Sequence, residues 1–240
     1  MMNLSRRLTA VASYIPKSSI LADIGSDHAY LPIYAVENGL AKAAIAGEVA
    51  DGPFSAAKSS VTAVNLQNVI EVRKGDGLAV IHDSDQIECI TIAGMGGALI
   101  ASILSAGKDK LTFAKRLILQ PNVAAHFVRN WLVDNDWELI TEQILEEDGH
   151  IYEILVADRG EGKKPYAQME KELFFGPFLL KEKNPIFRKK WAREKKEWER
   201  IYKQLEKAEA TEAIREKKQE LLRNIQWYKE ELSDETTEWA

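Results

Sequence analysis

The stretch Ile20-Leu21-Ala22-Asp23-Ile24-Gly25-Ser26-Asp27-His28-Ala29-Tyr30 reads as a strand, a tight turn and the opening of a helix. Residues 20 to 24 are apolar enough for a buried parallel strand, Gly25 lets the backbone turn and approach a ligand, and Ala29 to Asn38 can continue as helix. Ligands of open α/β sheets sit at that edge, outside the carboxyl ends of the strands. Two details select among such ligands. A dinucleotide site needs Gly-x-Gly-x-x-Gly, and after Gly25 the other two glycine positions are taken by Asp27 and Tyr30. Asp23 would also repel a pyrophosphate, whereas it attracts a cation such as the amino-acid end of S-adenosyl-L-methionine (SAM). The expectation is a SAM site rather than a dinucleotide site, with Asp23, Gly25 and Asp27 as cofactor-binding candidates.

Apolar runs of strand length recur at Ile20–Ile24, Ala43–Glu48, Val69–Arg73, Glu88–Ala93 and Arg116–Gln120, with helix-length segments between them. Pro53 to Val64 opens with a proline suited to a first helical turn, Ala98 to Leu104 follows a glycine-rich turn, and Ala124 to Val133 follows Pro121-Asn122. After Asp134 the order changes. Trp137–Leu145 and Ile151–Ala157 flank Glu146-Glu147-Asp148-Gly149-His150 and read as a hairpin with no intervening helix. A mostly parallel sheet closed by an antiparallel hairpin resembles the Rossmann-like, class I SAM-dependent methyltransferase fold, so the fold class expected is α/β.

From Asn184 the spacing turns helical. Phe187, Trp191, Trp198, Ile201, Leu205 and Ala208 form one apolar seam, and Ile214, Leu221, Ile225, Tyr228 and Leu232 a second. The seams fall out of register at residues 208–212, where Thr211 can cap a new helix. An antiparallel coiled-coil hairpin is favoured over one long bent helix. The expected organisation is a SAM-binding catalytic domain over residues 1–160, a linker over 161–183 and the helical domain over 184–240.

With 240 residues and 45% hydrophobic content, the chain can bury one substantial core and a smaller second unit. The single cysteine, Cys89, lies in an apolar run, which excludes an internal disulfide and a cysteine-based metal cluster within one chain. Residues 8–15 are too short and interrupted for a signal or spanning segment, so a cytoplasmic protein without a membrane partner is expected; a monomer is favoured, and the sequence leaves the oligomeric state open. Net charge is −5 overall but uneven, at −6 over residues 1–165, +6 over 181–218 and −4 over 219–240. A basic element is attached to an acidic body.

Further candidates follow from the strand ends. Glu48 lies 25 residues after Asp23, where an acid accepts hydrogen bonds from ribose hydroxyls. Asp76 and Gly77, after the third strand, suit an adenine amino group in a thin loop. The fourth strand ends in Ala93-Gly94-Met95-Gly96-Gly97, a glycine-rich loop at the place where a transferred methyl should point. Gln120-Pro121-Asn122 either reads a base edge or orients that loop. His28 is a framework or catalytic group, and the remaining histidines show no metal-ligand spacing, so no metal is expected.

These strings together resemble one family, the bacterial tRNA (adenine-N1)-methyltransferases of the TrmK type, which act on adenine 22. Asp27-His28-Ala29-Tyr30-Leu31-Pro32 and Ala93-Gly94-Met95-Gly96-Gly97 are the specific parts; Gly47-Glu48, Gly75-Asp76-Gly77 and Gln120-Pro121-Asn122 accompany them. The resemblance covers essentially the whole chain. It implies a tRNA substrate and SAM held by Asp23, Gly25, Asp27, Glu48, Asp76, Gly77, Ala93 and Gly94. Met95, Gly96, Asn122, His28 and Tyr30 would serve the target base, and Arg188, Lys189, Lys190, Arg193, Lys195 and Lys196 the RNA phosphates. Adenine N1 carries an in-plane lone pair, so in-line attack on the methyl needs neither metal nor general base; the protein has to align the base and exclude water. The alternatives are a SAM-binding interaction module without catalysis and a small-molecule methyltransferase. For the basic helix the alternative is a solvated face of paired Glu and Lys.

Overall fold

The computed structural model describes residues 3–207, 209 and 211–233. It divides into two compact units, residues 1–177 and 178–240. The first begins with helix α1 (Arg6–Ser13), capped by the Ser5 hydroxyl accepting from the Leu8 amide, an element the sequence pattern did not announce. Then come β1 (Ser19–Ile24), α2 (Tyr30–Glu37), β2 (Ala41–Glu48), α3 (Asp51–Ala63), β3 (Ile70–Lys74), β4 (Cys89–Gly96), α4 (Gly97–Ala106), β5 (Arg116–Val123), α5 (Ala125–Asp134), β6 (Trp137–Glu147), β7 (His150–Arg159) and α6 (Met169–Phe175).

The seven strands form one sheet in the order β3-β2-β1-β4-β5-β7-β6. β1 to β5 run parallel and β6–β7 close the edge as the expected antiparallel hairpin. Its two-residue turn, Asp148 at φ +50° and Gly149 at φ +77°, has the left-handed pair that matches strand twist, which is why the break falls at an Asp-Gly dipeptide. The chain winds outward from β1 to β3, then jumps back to β4 beside β1. That reversal opens the crevice where open α/β sheets bind ligands. Along the central strands Leu21, Ala22, Ile90, Ile92, Leu117, Ile118 and Leu119 are all buried, as continuous apolar strands covered on both faces must be.

One polar network in this unit escaped the sequence reading. Arg129 of α5 is fully buried and spends its guanidinium on four partners. Its Nε donates to Glu142 of β6 and its Nη2 to Glu153 of β7, both at 2.7 Å, while Nη1 reaches the Leu173 and Phe174 carbonyls of α6 at 3.3 Å. A Cβ on Gly176 would stand 2.6 Å from that guanidinium, so the residue after α6 has to be glycine. The network ties α5, the β6–β7 hairpin and α6 together.

The second unit holds α8 (Pro185–Leu205) and α9 (Glu212–Leu232), preceded by α7 (Pro177–Glu182), which begins at the division between the units. The stretch 161–183, expected as a linker, therefore carries two short helices, because its apolar residues Phe175, Leu179 and Leu180 are buried. Asn184 caps α8 by accepting from the Phe187 amide at 3.0 Å, with Pro185 at the first helical position. Thr211 caps α9 as expected, accepting from Ile214 at 3.4 Å. An ion pair of Lys183 with Glu231 at 2.9 Å brings the start of α8 beside the end of α9, so the pair is an antiparallel hairpin and not one bent helix. Phe187, Trp191, Trp198, Leu221 and Leu232 are buried along it, and Asn224 takes a buried place that the apolar pattern left out. Ala208, assigned to the first seam, lies outside the described residues.

Replacing Arg129 with Met should cost about 3 to 5 kcal/mol, since it leaves two buried carboxylates without this cation. Denaturant unfolding of parent and variant measures it; a loss under about 1 kcal/mol would show the network to be dispensable.

Candidate functional site

At the carboxyl end of β1, Asp23 is only 5% exposed. Its two oxygens accept from the Ser26 hydroxyl and the Thr91 hydroxyl, each at 2.6 Å. Thr91 is the register partner of Asp23 on β4, so the sheet itself delivers one of the two donors across the reversal point. Burial pushes the Asp23 carboxyl up to about 6; the Ser26 and Thr91 hydrogen bonds oppose that rise and the nearby Glu48 charge adds to it. The site thus holds a desolvated, oriented carboxylate whose charge a bound cation would favour.

The turn after β1 is pinned to β2. The Gly25 and Ser26 amides donate to the Gly47 carbonyl at 2.9 and 3.2 Å, and the Asp27 amide donates to Glu48 Oε1 at 2.6 Å. Glu48 Oε2 accepts from the Val49 amide at 3.2 Å, leaving lone pairs on both oxygens. Asp27 and Ala29 take left-handed conformations at φ +48° and +57°, strain of a kind that gathers at binding loops. Gly25 sits at φ +72°, and a Cβ there would meet the Met95 methyl at 2.2 Å, so Met95 packs directly on this turn. His28 and Tyr30 stack at 5.0 Å between centroids with planes 11° apart, and Tyr30 is 40% exposed beside the turn.

The glycine-rich segment differs from the expected free loop. Gly94, Met95 and Gly96 remain part of β4, bulged twice against β5. Gln120 explains this. Its fully buried side chain accepts from the Gly94 amide at 3.0 Å, and its own amide donates to Asn122, which in turn donates to the Gly94 carbonyl at 2.8 Å. Both polar groups of the Gly94 residue are thereby fixed. Of the two readings open for Gln120-Pro121-Asn122, the geometry supports orientation of the loop.

Asp76 and Gly77 border a cleft of ≈ 390 Å³ that is also lined by Leu78, Leu99, Ser102 and Ile103. The parallel strands bring the three expected carboxylates to one edge of the sheet, although Asp23, Glu48 and Met95 do not line the cleft at Asp76. The basic candidates belong to the second unit. Lys189, Arg193 and Lys196 are exposed at helical spacing along α8; Arg188 donates to the Lys183 carbonyl, Lys190 lies 4.5 Å from the Trp191 ring and Lys195 pairs with Glu199 at 3.4 Å. Among the described residues no group of three or more His, Cys, Asp or Glu could hold a metal ion, and no helix is long and apolar enough to cross a membrane.

Ser26 and Thr91 orient Asp23 without having been singled out for that contact. Thr91 alone carried a signal, being the polar residue inside Ile90-Thr91-Ile92.

The raised Asp23 value sets a stability test with a defined sign. The folded value, about 6, exceeds the ordinary 3.8, so ionised Asp23 opposes folding; the penalty is absent below about pH 4, grows between about 4 and 6, and is constant above. Asp23→Asn should gain stability over the parent across that window, reaching about 3 kcal/mol at neutral pH. A pH-independent difference between the two unfolding curves would refute the assignment.

A family model described as tRNA (adenine(22)-N(1))-methyltransferase matches residues 21–230. The tRNA (adenine(22)-N(1))-methyltransferase of Bacillus subtilis (strain 168) is 52% identical over 231 residues, 95% of this chain and 97% of that protein. The crystal structure of the B. subtilis m1A22 tRNA methyltransferase TrmK matches with a TM-score of 0.93 at 51% identity, covering 97% of this chain and 100% of that one. A Streptococcus pneumoniae chain solved in complex with SAM matches at a TM-score of 0.86 and 44% identity, over 96% of this chain and 100% of that one. With a sheet built around an acidic, non-dinucleotide turn and relatives alike over nearly their whole lengths, the chain belongs to the TrmK family of tRNA (adenine(22)-N(1))-methyltransferases.

Proposed function

We propose that this chain transfers the methyl group of SAM to N1 of adenine 22 in tRNA by in-line attack, without a metal or a general base. Family membership supports the activity, and the observation that carries its assignment to this edge of the sheet is the buried Asp23 carboxylate, oriented by Ser26 and Thr91 at the strand reversal. The residues fit the cofactor. Asp23 is suited to the ammonium group, Glu48 has lone pairs to spare for ribose hydroxyls, and Asp76 and Gly77 edge a cleft with the apolar wall an adenine ring needs. Asp27 contributes through its amide, which holds Glu48 in place. When bound, SAM supplies an activated methyl on a sulfonium with its own leaving group.

The remaining work belongs to positioning. Gln120 and Asn122 fix Gly94, so the segment from Ala93 to Gly96 presents its backbone in one arrangement. Asn122 therefore acts through Gly94 and is a positioning residue. Adenine 22 has to leave its stack to expose N1, and the Tyr30 face, backed by His28, offers it a surface. Met95 is flexible enough to pack against the base or turn aside from Gly25. Because the attacking nitrogen carries its lone pair unprotonated, no side chain has to remove a proton first. The exposed Lys189, Arg193 and Lys196 stripe of α8 suits tRNA phosphates, with Arg188, Lys190 and Lys195 adding charge nearby. A tRNA substrate puts the enzyme in the cytoplasm.

Incubation with labelled SAM and tRNA, followed by nucleoside analysis, should give 1-methyladenosine, and none from tRNA in which adenine 22 is replaced. Methylation of both substrates, or of neither, would reject the reading. Alanine at Asp23, Glu48 or Asp76 should weaken SAM binding by roughly tenfold to a hundredfold in calorimetry, the loss expected for hydrogen bonds to a charged group. Unchanged affinities in folded variants would mean that the cofactor lies elsewhere. Changing the α8 cations Arg188, Lys189, Lys190, Arg193, Lys195 and Lys196 to Gln should flatten the salt dependence of tRNA binding while SAM affinity holds; an unaltered slope would leave that face a solvated one.

A further inference from the structure

A cation reaches the methyl-transfer edge from the N-terminal helix. Glu147, at the end of β6, accepts from the main-chain amides of Arg6 and Arg7 at 2.6 and 3.2 Å, which anchors the first turn of α1. From that turn the Arg7 side chain extends to the end of β5. Its Nη1 donates to Gln120 Oε1 at 2.5 Å, the same oxygen that holds the Gly94 amide. The guanidinium carbon also lies 5.3 Å from the centroid of the Tyr152 ring on β7. A side chain on Gly94 would point toward Nη1, whose distance from a Cβ there is 3.7 Å. Arg7 is thus a neighbour of the glycine segment on the side to which that segment is open.

Among the described residues its charge has no ion-pair partner. The side chain's one hydrogen bond to the described residues is to a neutral amide, and none of their carboxylates forms an ion pair with it, although Glu147 lies near enough to feel its field. This is notable in a chain with 37 acids against 32 Lys and Arg. Nε and Nη2 donate to no atom of the described residues, while Gln120 and Tyr152 already fix the plane of the group. A guanidinium held in this way presents a fork that matches two oxygens of a phosphate and loses little rotamer freedom on binding.

The direction in which it lies identifies the anion. The carboxylates suited to the cofactor run from β1 outward to β3, whereas Arg7 stands over β5 and β7, across β4 from them. A base that reaches Gly94 to Gly96 from the side away from those carboxylates passes Arg7. We propose that Arg7 binds a backbone phosphate at the target nucleotide and so sets the register of the RNA strand on the site, as phosphate contacts do without reading bases. This rests on the reading of the chain as a tRNA methyltransferase.

The test compares the full-length parent with Arg7→Met, Arg7→Gln and Arg7→Lys. Three quantities are measured: SAM affinity by calorimetry, tRNA affinity across a salt series, and the kcat and KM of methyl transfer to tRNA. Gln keeps a donor for Gln120 and covers the case in which Met fails to fold. In the neutral variants the slope of log affinity against log salt should fall by about one unit, KM for tRNA should rise more than kcat falls, and SAM affinity should stay within about twofold; Lys should restore the slope. An unchanged slope in both neutral variants overturns the proposal. A drop in SAM affinity with the slope intact also overturns it, assigning Arg7 to the carboxylate of the cofactor. The parent's own transfer to tRNA, run alongside, separates these results from a failure of the activity itself.

Discussion

The site hangs on the pairing of Asp23 with Thr91 across the β1–β4 register. A carboxylate at a strand end is ordinarily a solvated group. Here the strand reversal brings β4 against β1, buries the acid, and supplies a hydroxyl from the neighbouring strand and another from Ser26 in the following turn. Burial raises the energy of the charged form, and the two hydroxyls hold it in one orientation. What results is a group whose charged form burial disfavours and a bound cation would favour.

The second half of the site is organised by amides. Gln120, buried at the end of β5, converts a run of glycines into a fixed element by satisfying Gly94 on one side and aligning Asn122 for the other. On the proposed in-line transfer, where the nucleophile needs no deprotonation, alignment is the main contribution asked of the protein, and rigid backbone supplies it better than mobile side chains. Met95 is the exception, a soft side chain laid over Gly25 in a segment otherwise held tightly.

The helical hairpin follows separate rules. Its buried residues are aromatic and large, Phe187, Trp191 and Trp198 on α8, so two helices gain enough apolar burial to form a compact unit. The same helix concentrates positive charge that the first unit lacks. Acidic strand ends in one unit and a basic helix in the other keep charges of opposite sign apart in the sequence.

From β1 to the β6–β7 hairpin, and again at the two long helices, the order of elements was legible because it rests on local pattern: apolar runs of strand length, the Asp148-Gly149 turn, and the Thr211 cap. Asp23, Glu48 and Asp76 stood out as candidates because each lies at or just after the end of a recognisable strand, and Asp27 and Tyr30 stand where a dinucleotide fingerprint needs glycines. Seam spacing likewise announced two helices, though not the buried Asn224. What the sequence left open depended on residues far apart in the chain. Arg129 meets Glu142 and Glu153, Gln120 meets Gly94 and Arg7, and Thr91 meets Asp23 only after the sheet has formed. None of these pairs has a fixed spacing, since the strands that bring them together are ordered by packing and not by position in the chain. Local periodicity determined the elements and the strand-end acids; the tertiary fold alone decided which buried polar groups satisfy one another, because a buried donor or acceptor must find whatever partner the packed sheet places beside it.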